Sequence, residues 1–364
     1  MTGDLTGPVG ELAESAIALA RIFTNGGRLV VTAPGRQDHA RHVAVEFIHP
    51  AITGARALPA TAVHADDLAS AVGENDAALV IEDPLAIDHV NQVSAPPAAL
   101  TIQVGGSDAP LVGSDLVRWY HLLWELVQVG LEHPGLTGGT ASAGGDSTNF
   151  LYPFLDATES DEQALMAALI DSAETKSAES EHLADRSLEQ NRMAIDAAAA
   201  EIAARHRSGG TVFAIGNGGS ACDAARLVRL LKARGIRAAS LAEDPAVLTA
   251  LANDLGANMI FSRQVEAALR PNDVLVAFST SGSSRNLLAA FDVPAASEAS
   301  LLAIAGYDGG PLCQHHNVDH RIVVESSSVH RIQETQALLI DDLTKAVTVA
   351  SGTPDGHGRE KMKL

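Results

Sequence analysis

Several kinds of residue are scarce in this chain of 364 residues, and each scarcity excludes a class of protein. Cysteine occurs only at Cys222 and Cys313, which leaves no disulfide framework and no cysteine-based zinc motif. Aromatic residues make up 4%, and 25 basic residues stand against 45 acidic ones, for a formal net charge of −20. Such a field repels nucleic acids and anionic membranes, so neither is expected as a partner.

Long apolar runs are also missing, since no stretch of about 18 apolar residues exists that would cross a bilayer. The first fifteen residues lack the basic and apolar regions of a signal peptide. Hydrophobic residues nevertheless make up 46% of the chain and charged residues only 19%, which is typical of a compact globular protein. The composition therefore predicts a reduced, cytoplasmic globular protein.

Short apolar runs alternate with helical patterns along most of the chain, which predicts α/β architecture with mainly parallel sheets flanked by helices. The expected fold class is two three-layer α/β/α domains. Strands are predicted at 28–33, 57–63, 77–82 and 99–104 in the first half, and at 211–216, 237–242, 273–279, 300–305 and 320–325 in the second.

The two halves follow the same plan, which indicates an internal duplication. Each series opens with a helix that runs into a Gly-Gly step, and each closes with a long helix. A stretch rich in Gly, Ser and Thr separates them and is typical of a linker. The predicted organisation is a first domain over 1–133, a linker over 134–158, a second domain over 159–352 and a polar tail over 353–364.

Two turns rich in glycine and hydroxyl groups follow predicted strands of the second half, GNGGSACDAARL (216–227) and STSGSSRN (279–286). In an open parallel sheet, ligands bind beyond the carboxyl ends of the strands, where helix amide groups are unpaired. Such turns favour a phosphate ligand, although Ser and Thr at a helix start also serve as ordinary N-caps. The spacings of a dinucleotide fingerprint and of a P-loop are both absent.

Five ordered segments resemble the sugar isomerase (SIS) family, in its phosphoheptose isomerase branch. They are GNGGSACDA, LTALANDLGANMIFSRQVEA (248–267), NDVLVAFSTSGSSRN, AGYDGG (305–310) and HRIQETQ (330–336). The resemblance implies a five-stranded parallel sheet between helices, a phosphorylated sugar as ligand, and a homo-oligomer, here a dimer of tandem chains. It covers most of residues 160–350 and leaves the first domain as a degenerate SIS-like copy.

The resemblance also implies which residues contact the ligand. The first turn would contact the sugar phosphate, and the last two residues of LTALAND would contact the sugar hydroxyl groups. The hydroxyl-rich turn would hold the phosphate, and the closing helix would face the reacting end. These positions are, in that order, Asn217, Gly218 and Gly219; Asn253 and Asp254; Ser279, Thr280, Ser281 and Ser284; and Gln333.

The second half departs from the family at the catalytic positions. The family's histidine and glutamate, which act in proton transfer and in some members bind zinc, are replaced by Arg226 and Leu230. A later histidine is replaced by Asp341, which remains a catalytic candidate because a carboxylate can accept a proton. Leucine cannot, so this half keeps the implied pocket and loses the family's catalyst.

In the first half, His42 and Glu46 stand four residues apart on one helix face, in a segment similar to the family's His-x-x-x-Glu. They are candidates for general acid and base, or for zinc ligands, with His49 and His121 as further candidates. A solvated ion pair is the alternative. Two functions therefore stay open: aldose–ketose isomerisation of sedoheptulose 7-phosphate or a related ketose phosphate, and non-catalytic binding of a sugar phosphate by a regulatory or scaffold protein. No cofactor follows from the residues alone, and zinc is the one that the resemblance allows.

Overall fold

The computed structural model describes residues 8–49, 57–82, 98–104, 111, 113–133 and 162–352. The chain divides into two compact units, residues 1–181 (unit 1) and 182–364 (unit 2). The predicted linker and tail lie outside the described residues, so the domain boundaries stay predictions.

Unit 1 contains a four-stranded parallel sheet in the order β2-β1-β3-β4. A 3₁₀ turn over Ala65–Asp67 precedes its third helix, and a long helix, α5, begins in this unit and ends in unit 2. The elements are α1 (Pro8–Thr24), β1 (Leu29–Thr32), α2 (Gln37–Ile48), β2 (Ala60–Ala62), α3 (Leu68–Ala71), β3 (Ala77–Ile81), β4 (Leu100–Val104), α4 (Gly113–Glu132) and α5 (Glu162–Arg207).

Unit 2 contains a five-stranded parallel sheet in the order β6-β5-β7-β8-β9. Short 3₁₀ turns cover Ala257–Met259 and Pro294–Ser297. The elements are β5 (Val212–Gly216), α6 (Gly219–Ala233), β6 (Ala238–Ser240), α7 (Pro245–Leu255), α8 (Ser262–Ala268), β7 (Val274–Ser279), α9 (Arg285–Phe291), β8 (Ser300–Gly306), α10 (Gly310–Cys313), β9 (His320–Val324) and α11 (Val329–Ser351).

The unit 2 sheet is buried on both faces. Successive residues of a strand point to opposite sides of the sheet, so consecutive buried residues pack against two different layers of helices. Val274, Val276 and Phe278 pack with residues of α5, α6 and α11, whereas Leu275 and Ala277 pack with residues of α8 and α9. This is the predicted three-layer arrangement of helices, sheet and helices.

Both units use the same local structure to lead into the first strand. A Cβ atom on Gly27 would lie 2.2 Å from the carbonyl oxygen of Asn75, and one on Gly210 would lie 1.9 Å from that of Asn272. The following aspartates, Asp76 and Asp273, accept hydrogen bonds from the backbone N–H groups of Arg28 and Thr211. Only glycine fits either position, and the shared geometry supports the predicted duplication.

All nine predicted strands are present. The strands predicted over 57–63 and 237–242 are shorter than expected, at three residues each. Both lie at an edge of a sheet and pair with a single neighbour, so fewer backbone hydrogen bonds extend them. Among the described residues, no helix combines the length and the hydropathy needed to cross a membrane.

Candidate functional site

Two loops meet at the carboxyl ends of the neighbouring strands β5 and β7 in unit 2. One runs from Gly216 to Gly219 and the other from Ser279 to Ser284. The order of the strands reverses at this point, since β6 lies on one side of β5 and β7 on the other. Parallel sheets bind ligands at such switch points, where chain connections leave to opposite faces and open a crevice.

A reciprocal amide pair joins these loops. Asn217 Nδ2 donates to Asn286 Oδ1 at 2.9 Å, and Asn286 Nδ2 donates to Asn217 Oδ1 at 2.8 Å. Asn286 lies in the first turn of α9 and is buried, whereas Asn217 is exposed. The sequence predicted Asn217 but missed Asn286, although it stands in the quoted STSGSSRN turn, because only hydroxyl groups were considered there.

The hydroxyl groups of the second loop partly bind the loop itself. Ser279 Oγ accepts from the backbone N–H of Gly282 at 3.0 Å and lies 3.5 Å from Ser284 Oγ. Ser281 Oγ lies 3.0 Å from Ser283 Oγ and is exposed together with it. The loop is thus held in a fixed shape while the exposed side chains remain accessible to a ligand.

A third segment, from Gly306 at the end of β8 to Leu312 in α10, supports the second loop by backbone contact. The N–H of Gly306 donates to the carbonyl oxygen of Thr280 at 3.1 Å, and the N–H of Leu312 donates to that of Gly282 at 2.8 Å. Gly282 has φ of 63°, and a Cβ there would lie 2.1 Å from the carbonyl oxygen of Gly309. Close approach of two backbones therefore requires glycine at this position.

The remaining predicted contact residues lie apart from these loops in the chain. Asn253 and Asp254 are exposed at the end of α7, and Asn253 Nδ2 donates to Asp254 Oδ1 at 2.7 Å. Gln333 is buried in the second turn of α11. Their roles toward a sugar stay predictions.

Arg226 and Asp341, which stand where the resemblance implies histidines, contact each other. Arg226 on α6 is 4% exposed, and its Nη2 donates to Asp341 Oδ1 on α11 at 2.6 Å. Leu230, one turn after Arg226, is half-buried. Asp341 as a catalytic base stays a prediction, but its carboxylate is already engaged by a guanidinium.

Unit 1 contains a buried cluster of ionisable side chains on α2 and α4. His42 Nε2 lies 3.5 Å from Glu46 Oε1, and the ring centroids of His42 and His121 are 5.3 Å apart. One ligand atom from each of these three residues can be chosen so that all lie within 4.8 Å of one another, and all three residues are buried. His49, the other candidate, is exposed at the end of α2 and is not part of this cluster.

This cluster suits a zinc ion by its donor atoms. Two imidazoles and one carboxylate form the three-ligand set of catalytic zinc sites that leave a fourth position open. Tyr120 Oη lies 2.7 Å from His42 Nδ1, the ring nitrogen on the side away from Glu46. Such a partner fixes the tautomer and orientation of a metal-binding histidine. The solvated ion pair is not what the structure contains, because His42 and Glu46 are 2% and 6% exposed.

Burial raises the pKa of the Cys313 thiol to about 11, so the thiol stays protonated near neutral pH.

Comparisons with known proteins identify the family. Residues 177–306 match the SIS domain model. A phosphoheptose isomerase from Alteromonas mediterranea is 34% identical over 207 residues, which are 54% of this chain and 99% of that protein. One from Helicobacter pylori is 40% identical over 144 residues, covering 38% of this chain and 74% of that protein.

A solved structure resembles nearly the whole chain. The C-terminal domain of glucosamine-fructose-6-phosphate aminotransferase from Francisella tularensis matches with a TM-score of 0.55 over 95% of both chains, at 11% identity. At that identity the likeness concerns the fold alone, and it agrees with two SIS-like α/β units. The chain belongs to the phosphoheptose isomerase family of SIS-domain proteins.

Proposed function

We propose that this protein is a sugar-phosphate isomerase that converts a ketose phosphate, sedoheptulose 7-phosphate or a close relative, through an enediol. The observation that carries the proposal is the Asn217–Asn286 pair, which holds two ligand loops side by side at the switch point of unit 2. Membership of the phosphoheptose isomerase family supports the same ligand class.

In this proposal the phosphate binds at the two loops. The hydroxyl groups of Ser279, Thr280, Ser281 and Ser284 donate to its oxygens. The N–H groups at Gly218 and Gly219 add donors and the partial positive charge at the start of α6. Asn253 and Asp254 bind sugar hydroxyl groups, and Gln333 faces the carbonyl end.

Isomerisation moves one proton between neighbouring carbons. A base removes the proton from the carbon beside the carbonyl, the freed electron pair forms the enediol double bond, and an acid protonates the carbonyl oxygen. Return of a proton to the former carbonyl carbon, with loss of the hydroxyl proton from its neighbour, completes the reaction. Glu46 and His42 are the candidate base and acid of unit 1, and Asp341 is the candidate base of unit 2.

Zinc is the proposed cofactor. His42, Glu46 and His121 are the residues that would hold it, in which case His42 and Glu46 would be ligands instead of acid and base, Asp341 would remain as the base, and the bound cation would polarise the carbonyl oxygen of the substrate.

Non-catalytic binding of a sugar phosphate is the second candidate function. One observation favours it: Leu230 and the Arg226–Asp341 ion pair occupy the catalytic positions of the module that carries the ligand loops. A protein with this arrangement would bind the sugar phosphate without exchanging its protons.

Deuterium exchange separates the two functions. The protein is incubated with sedoheptulose 7-phosphate in deuterated water, with zinc and with a chelator, and the substrate is analysed by NMR. Isomerisation predicts exchange at the carbon beside the carbonyl, lost in Glu46→Gln and retained in the control Glu189→Gln, an exposed residue of α5. If exchange is lost in Asp341→Asn and retained in Glu46→Gln, the base is Asp341 of unit 2. Thermal stabilisation by the ligand without any exchange would establish the binding protein instead.

We further propose that the chain forms a homo-oligomer. None of the eleven residues of α7 is buried although the helix is rich in Ala, Leu and Val, and Leu255 is 49% exposed at its end. A second copy of the chain would cover this apolar surface.

A further inference from the structure

The two units carry different chemistry at the same place in the fold. His42 and Arg226 each lie ten residues after the last residue of the preceding strand, Thr32 in β1 and Gly216 in β5. One turn later on each helix come Glu46 and Leu230. Both strands are the second in their sheets and both helices are the first to follow them. The positions therefore correspond.

The partner on the closing helix corresponds as well. His42 contacts His121 on α4, the last described helix that lies wholly within unit 1. Arg226 contacts Asp341 on α11, the last helix of unit 2. In each unit one residue of the helix after the first strand meets one residue of the closing helix.

The chemistry of the two sets is opposite. Unit 1 offers two imidazoles and a carboxylate, which have lone pairs for a cation. Unit 2 offers a guanidinium, which has no lone pair and is permanently charged, together with a leucine and a single carboxylate. A buried guanidinium at this position repels a metal cation, because both carry positive charge.

We propose that the Arg226–Asp341 ion pair is a side-chain replacement for a metal centre. The guanidinium supplies in fixed form the positive charge that a bound cation supplies in unit 1, and Asp341 positions it. The chain then takes one divalent cation, in unit 1, and none in unit 2. The count of one rests on the proposed zinc site at His42, Glu46 and His121, whereas the replacement itself does not.

The position of Arg226 makes the charge useful to a bound ligand. Arg226 is seven residues after Gly219, the first residue of α6, which is two turns and about 10 Å along the axis on the same helix face. Because Arg226 is only 4% exposed, its charge would act on a phosphate bound at the start of α6 over this distance and without direct contact.

Zinc stoichiometry tests the proposal. The protein is loaded with zinc, dialysed and analysed by mass spectrometry for metal per chain, and cobalt is bound in parallel for its absorption spectrum. We expect one zinc in the wild type, none in His42→Ala, and one in the control His64→Ala, an exposed histidine of unit 1. One zinc remaining in His42→Ala would show that unit 2 binds metal and would overturn the proposal.

A second variant tests the replacement directly. Arg226→His, Leu230→Glu and Asp341→His together copy the unit 1 set into unit 2, and circular dichroism verifies that the variant is folded. We expect it to bind two zinc ions, and one when His42→Ala is added. If the wild type binds no zinc and the triple variant binds one, the proposed zinc site of unit 1 is refuted and the replacement in unit 2 is supported. A folded triple variant that binds no more zinc per chain than the wild type would overturn the replacement.

Discussion

Asn217 and Asn286 are separated by 69 residues in the chain, yet their amide groups bind each other twice. Each amide satisfies one donor and one acceptor of the other, so removal of either side chain leaves the other incompletely paired. At the scale of the residue, this pair ties the conformation of one proposed ligand loop to that of the other. It does so without using the hydroxyl groups or backbone amides assigned to the phosphate.

We expect Asn286→Ala to weaken binding of sedoheptulose 7-phosphate about ten-fold and to lower stability by about 1 kcal/mol, because Asn217 loses its partner and the loops separate. Calorimetry and denaturant unfolding measure the two effects. Asn272→Ala, an exposed asparagine in the turn before β7, is the control and should change neither. An unchanged affinity of Asn286→Ala for sedoheptulose 7-phosphate would contradict the role of this pair in holding the loops, on which the proposed function depends.

Tyr120 acts on the proposed zinc site through His42. The 2.7 Å contact with Nδ1 leaves Nε2 on the side of Glu46. We expect Tyr120→Phe, which keeps the packing of the ring, to lower zinc affinity about ten-fold, because the outer hydrogen bond of a metal-binding histidine orients it. Competition with a chromophoric chelator measures the affinity, and Tyr307→Phe, an exposed tyrosine, is the control. An equal affinity for zinc in Tyr120→Phe would limit Tyr120 to packing.

At the scale of the element, the ligand loops are shaped by how closely the backbones of unit 2 approach one another. The loop after β7 lies against the loop after β8, with Gly282 facing Gly309. The strands themselves follow from apolar residues on both faces, which the sequence displays as continuous runs. The contact between loops leaves no such pattern, because it depends on the absence of side chains.

We expect Gly282→Ala to destabilise the protein by more than about 2 kcal/mol and to abolish binding of the sugar phosphate. Its Cβ would meet a backbone oxygen at 2.1 Å in addition to the cost of a positive φ. Gly235→Ala is the matched control, with φ of 76° and no atom within 4 Å of the new Cβ, and should cost only about 1 kcal/mol. Similar costs for the two variants, measured by urea unfolding, would contradict the close packing of the loops.

At the scale of the whole molecule, each unit contains a histidine whose pKa lies below its ordinary value. Desolvation lowers the pKa of His133 in unit 1 and, together with Arg237, that of His206 in unit 2. The unfolded state then binds more protons than the folded state near the ordinary histidine pKa of 6.5. Their contribution to stability is complete above that value and is lost as the pH falls toward the lowered folded pKa.

We therefore expect both His133→Gln and His206→Gln to reduce the loss of thermal stability between pH 8 and about pH 5.5. His64→Gln, at an exposed histidine of unit 1, is measured as the control. Calorimetric scans at a series of pH values measure the effect. A steeper pH dependence in His133→Gln or His206→Gln would mean that the sign of the pKa shift is wrong for that histidine.

The exposed apolar surface of α7 gives a second expectation at this scale. We expect Leu255→Glu to convert the oligomer to single chains without unfolding it, since a charge at a buried interface is costly. Light scattering after size-exclusion chromatography measures the mass. Met193→Glu is the control, because Met193 is 86% exposed on α5 and away from α7 in the chain. A wild type that is monomeric at all concentrations would end the proposal.

The sequence by itself determined the nine strands and their parallel arrangement, and it predicted the edge of the sheet at which a ligand would bind. These follow from local patterns of apolar residues and from glycine and hydroxyl groups placed after strands. It also predicted that His42 and Glu46 lie on one helix face, because they are four residues apart.

Only the tertiary structure decided which distant residues meet. The Asn217–Asn286 pair, the contact of Tyr120 and His121 with His42, and the ion pair of Arg226 with Asp341 each join segments that are 69 to 115 residues apart. A polar side chain looks the same in the sequence whether it lies in solvent or in a buried cluster. The packing of the helices on the sheet determines which of the two it is, and hence what chemistry the residue can perform.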